Sequence, residues 1–135
     1  MRRWALICVA LLLLGPAAIV EARPPHAHAP KVTHSCTVTD RSFVNDARAG
    51  LEAFRLDANT MYAVPDAKAA AETLRRTAPN DPSLRQARLL LTAMLIEYTK
   101  GHSGRYTRLT GEAGRVLADA GAPLQALGCN VDALL

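Results

Sequence analysis

Apolar residues recur along most of this chain at intervals of three and four, the spacing that gathers them on one side of an α-helix. After Cys36, such a stripe runs through Phe43, Val44, Ala47, Leu51, Phe54, Ala58, Met61 and Tyr62, with Arg48, Glu52, Arg55 and Asp57 away from its centre. Thr39 or Asp40 can cap this first helix. Val64-Pro65 should end it, because the residue before a proline avoids the helical region. A second, shorter helix is expected from Asp66 to Ala78, with an inner face of Ala67, Ala70, Ala71, Leu74 and Ala78. So small a face permits close packing but buries little area per residue.

Pro79-Asn80-Asp81-Pro82 reads as a turn that opens a third helix, with Asp81 as its cap and Pro82 as its first residue. Gly101 is placed to end that helix just beyond Lys100. Two apolar stripes run along it: Leu84, Ala87, Leu91, Met94, Leu95 and Tyr98 on one side, and Leu89, Ala93 and Ile96 roughly opposite. A helix apolar nearly all round is either the central element of its fold or meets a second protein chain. The fourth helix is expected from Ser103 to Ala120 on Tyr106, Leu109, Ala113, Val116, Leu117 and Ala120. Gly121-Ala122-Pro123 should stop it, and the chain then returns through Cys129 toward the start of the first helix. Strand-like alternation is missing. The pattern therefore predicts an all-α fold, a small up-down four-helix bundle stapled by one terminal disulfide.

The first 22 residues change the picture of where this happens. Arg2 and Arg3 precede an apolar run from Trp4 to Leu14, Gly15-Pro16 interrupts it, and Val20-Glu21-Ala22 offers a cleavage site. Residues 1–22 are the expected signal peptide. Residues 23–35 are Pro- and His-rich and read as a flexible tail, and residues 36–135 form the helical domain. Removing the signal takes Cys8 with it and leaves Cys36 and Cys129, an even pair in an exported chain, so a disulfide is expected. No later apolar run is long enough to span a membrane. The expected location is secreted, periplasmic or in the cell-envelope space, and the Ala- and Arg-rich composition suggests a bacterial chain.

The whole chain of 135 residues carries 16 Lys and Arg against 12 Asp and Glu. Basic residues such as Arg85, Arg88, Lys100, Arg105, Arg108 and Arg115 are interspersed with Glu97, Glu112 and Asp119. Aromatic residues are few, so the dense basic and aromatic footprint of nucleic-acid binding is missing. The carboxylates are dispersed and no Glu-x-x-His occurs, so a di-metal bundle site is not expected. His26 and His28 form a His-x-His in the tail without a completing ligand set. In Gly101-His102-Ser103-Gly104, adjacent His and Ser side chains diverge, which argues against a nucleophile and its base. No catalytic residue and no metal ligand is assigned.

Two functional expectations remain. One is a non-catalytic interaction or envelope-associated module that uses Leu89, Ala93 and Ile96 to dimerise or to bind a cell-envelope protein. The other is a carrier of haem or another small hydrophobic ligand at Tyr98 and His102, spaced i, i+4 beside Met94, since Tyr and His can both ligate haem iron. No cofactor is assigned under the first expectation; haem is the one under the second. As a small, exported, all-helical chain with one disulfide, the sequence resembles the mycobacterial haem-carrier proteins in outline, without a shared motif.

Overall fold

The computed structural model describes residues 31–134 of the chain. The expected signal peptide and most of the Pro/His-rich tail lie outside the described residues. Four helices account for the body: α1 (Val38–Leu56), α2 (Ala63–Arg76), α3 (Pro82–Thr99) and α4 (Ser103–Ala126). A single 3-10 turn, Asp132–Leu134, follows near the C-terminus. Consecutive helices pack on one another, α1 on α2, α2 on α3 and α3 on α4. The core takes Phe43, Leu51, Phe54, Leu74, Leu84, Leu91, Leu95, Leu117 and Leu124 from all four.

The start of α1 lies earlier than its apolar pattern suggests. Thr37 is the N-cap, and Asp40 is the third residue of the helix. The two form a reciprocal capping box: the Asp40 N–H donates to Thr37 Oγ1 at 3.2 Å, and the Thr37 N–H donates to Asp40 Oδ2 at 2.8 Å. Asp40 is fully buried and reaches further. Its Oδ1 accepts the backbone N–H groups of Asn80 at 2.6 Å and Asp81 at 3.0 Å. Burial alone would raise this carboxyl's pKa. The N–H groups of Asp81, Thr37 and Asn80, with the Thr37 hydroxyl, outweigh burial and hold it below its ordinary value. Asp81 is likewise buried and caps α3 as expected, accepting the Ser83 and Leu84 N–H groups. It also accepts the Ser35 N–H and the His34 Nδ1–H. Residues 34 and 35 are thereby fastened to the helical body.

Four further expected boundaries are corrected. Helix α1 ends at Leu56, and Met61 and Tyr62, expected on its buried stripe, are exposed. The run Asp57-Ala58-Asn59-Thr60 makes a turn of its own, in which the Thr60 N–H and hydroxyl both donate to the Asp57 carbonyl. Val64-Pro65 then lies in the first turn of α2, where proline's missing N–H has no helical partner to lose. Ala78, expected on the inner face of α2, lies beyond its end and is exposed. Helix α4 runs through Pro123 to Ala126 instead of stopping at Ala120. Burial of Leu124 and the bond from the Cys129 N–H to the Leu124 carbonyl hold that last turn.

Cys36, just before α1, is bonded to Cys129, just after α4, with Cα atoms 5.8 Å apart. The six residues from Cys129 to Leu134 then form a strap against α1 and α4. Its Cys129, Val131 and Leu134 are buried, and Arg55 of α1 donates to the carbonyls of Ala133 and Leu134. Too short to show a periodicity, this element left no trace in the pattern. At Gly50, α1 passes so close to α2 that a Cβ there would sit 3.3 Å from the Ala70 Cα. The alanine face of α2 makes that approach possible.

Candidate functional site

The end of the molecule formed by the α1–α2 and α3–α4 connections differs from the rest of its surface. Of the large apolar side chains left in solvent, four fall within nine residues there. Leu56 is 78% exposed, Met61 83%, Tyr62 59% and Val64 39%. The Asp57–Thr60 turn sets Met61 and Tyr62 outward. The Tyr62 N–H is tied to Thr60 Oγ1 at 3.1 Å, which fixes the chain where a buried stripe would otherwise continue.

The neighbouring connection is shaped by Gly101, whose φ of +74° ends α3. The His102 N–H donates to the Glu97 carbonyl at 3.0 Å, and the Gly101 N–H to that of Tyr98 at 2.9 Å. This Schellman turn takes His102 off the helical path that the i, i+4 spacing assumed. Tyr98 and His102 still share a wall. With Val64, Gly101, Ser103 and Tyr106 they line an open recess of about 360 Å³. Met94 is buried in the core and is not among its lining residues.

Tyr98 is held firmly. Its hydroxyl donates to the Ala58 carbonyl at 3.0 Å. Its ring stands edge-on to Phe54 at 4.8 Å and lies 5.5 Å from that of Tyr106. His102 is half exposed, and its Nδ1–H donates to Glu97 Oε2 at 2.7 Å. Glu97 also meets Lys100 at 3.3 Å and Arg105 at 3.7 Å. The His102 hydrogen bond, with help from Lys100 and against a smaller effect of burial, lowers the Glu97 carboxyl below its ordinary pKa. Across the end, the neighbouring Asp57 carboxyl, with a smaller effect of burial, raises the Asp66 carboxyl above its ordinary pKa. Two acids therefore crowd one connection while cations gather on the other.

The second stripe of α3 lies elsewhere. With α2 and α4 both packed on α3, Ala93 and Ile96 are half-buried, while Leu89 stays 64% exposed. Sequence periodicity found Tyr98 and His102 but missed Leu56 and Val64, and it assigned Met61 and Tyr62 to the core. The signal that would have found them is the turn-forming Asp57-Ala58-Asn59-Thr60 ahead of them. Among the described residues, no group of three or more His, Cys, Asp or Glu is placed to hold a metal, and no helix is long and apolar enough to cross a membrane. No protein family, characterised protein or solved structure matches this chain.

Proposed function

We propose that this chain is an exported, non-catalytic interaction module that binds a protein partner through the end bearing Leu56, Met61, Tyr62 and Val64. The observation that carries the reading is the exposure of four large apolar side chains around one helix–helix connection. Such a cluster is costly in water and marks an interaction surface more often than a bare one. An exported setting is supported by the N-terminal pattern of the sequence and by a disulfide suited to an oxidising compartment. The experiment is native mass spectrometry and cross-linking of the chain exported by its own host, beside Met61→Glu. The reading expects a specific protein complex that Met61→Glu abolishes while melting temperature holds. A complex indifferent to Met61→Glu, or none at all, overturns it.

A carrier role would use the recess instead. What favours it is His102, whose Nδ1–H is engaged by Glu97 so that Nε2 is the nitrogen left to ligate. Haem added to the disulfide-intact protein would then give a stoichiometric Soret band that His102→Ala removes. Absence of that band retires the carrier reading.

A further inference from the structure

The apolar end carries both halves of an interface. Met61 and Tyr62 project from the α1–α2 connection, and an open recess walled by Val64, Tyr98 and Tyr106 lies beside them. Charge is divided between the same two connections. Residues 57–66 contain Asp57 and Asp66 and no cation, whereas residues 100–105 contain Lys100, His102 and Arg105 and no acid. Among the described residues, the only carboxylate paired to Lys100 and Arg105 is Glu97, which His102 shares. The N-terminus of α4 has no side-chain cap and no acid in its first turn, so its positive end adds to that side.

We propose that two copies of this chain pair through this end about a two-fold axis. Met61 and Tyr62 of each copy seat in the recess of the other, and Asp57 and Asp66 face Lys100 and Arg105 across the interface. The proposal rests on the reading of this end as an interaction surface and names the partner. A two-fold contact uses every complementary pair twice, so a surface with opposite charges on adjoining loops suits its own copy. An anionic lipid surface or a nucleic acid would meet Asp57 and Asp66 beside the apolar side chains and be repelled. The crowding that raises the Asp66 carboxyl would be relieved by a cation from the second copy. The four apolar side chains expose on the order of 500 Å² per copy, which places the pair near the small end of specific interfaces. A reversible dimer with micromolar affinity is the expected strength.

The test is sedimentation velocity on the exported, disulfide-intact chain over a wide concentration series. The native chain should pass from monomer to dimer. Met61→Glu should weaken pairing by about tenfold or more with the melting temperature unchanged. A charge exchange checks the geometry. Asp57→Lys/Asp66→Lys and Lys100→Glu/Arg105→Glu should each fail to pair alone, because like charges then face each other. Mixed in equal amounts, the two variants should form a heterodimer in which both contacts are again complementary. Tyr62→Ser tests the same surface should either charge variant fold poorly. A native chain that stays monomeric, or variants that do not complement, overturns the dimer. If the chain is monomeric yet cross-links to a different protein in a Met61-dependent way, only the choice of partner fails. If neither association occurs, the reading of the end fails as well.

Discussion

Removing the Asp40 carboxylate is the sharpest test of what holds this fold together. In Asp40→Ala, three backbone N–H groups lose their acceptor: Thr37, Asn80 and Asp81. The bond from the Asp81 N–H is buried, and leaving such a donor unpaired costs about 1–3 kcal/mol. The other two are part-buried and can recover some water, so each adds about 0.5–1 kcal/mol. Loss of an acid from the first turn of α1 adds a few tenths, and relief of the buried carboxylate's own desolvation subtracts about 1 kcal/mol. The expected net loss is about 1–4 kcal/mol, a large part of the stability of a domain this small. Urea unfolding of the disulfide-intact protein at neutral pH, followed by far-ultraviolet circular dichroism, measures it. Amide exchange locates it, because the Asn80 and Asp81 N–H groups should lose protection first. A loss below about 1 kcal/mol, with those amides still protected, would refute the assignment of Asp40 as the tie between α1 and the α2–α3 turn. The pH dependence has a definite sign. A carboxyl with a depressed pKa stabilises the fold above its unfolded value, here near 3.8, and that stabilisation fades as pH falls through the folded value. The gap between native protein and Asp40→Asn should therefore be constant near neutrality and close in acid.

Other expectations follow from single features. Replacing Cys36 and Cys129 together by Ser opens a loop of 93 residues, and loop-closure entropy puts the loss at about 4–5 kcal/mol, readable as a lower urea midpoint. Gly50→Leu should separate α1 from α2 and lower stability by about 1–3 kcal/mol, whereas Ala71→Ser, on the same alanine face, should cost less in the same thermal melts. Gly101→Ala puts a side chain at a φ of +74° and should cost about 1 kcal/mol in chemical denaturation. No loss, or a gain such as the exposed helical control Gly111→Ala should give, would show that the Schellman turn tolerates a side chain there.

The helical stripes were legible because burial imposes a period on the residues that carry it. Phe43, Ala47 and Leu51 on α1, Ala67, Ala70 and Leu74 on α2, and Ala113 and Leu117 on α4 are buried where their spacing places them. Asp81 and Pro82 began α3, and Gly101 ended it, because cap and turn chemistry is local. Both cysteines were paired by count and compartment, and the structure joins them. What stayed out of reach depends on partners distant in the chain. Asp40 looks like any first-turn acid until Asn80 and Asp81 arrive to donate to it from forty residues away. The strap through Val131 and Leu134 has no period to betray it, and its burial depends on how α1 and α4 are spaced. Met61 and Tyr62 fit a helical stripe on paper, yet the turn at Asp57–Thr60 rotates them into solvent. A sequence records the local preferences that make helices and caps. Which side chains those helices finally cover is settled only when they meet, because burial belongs to the assembled surfaces and not to any one segment.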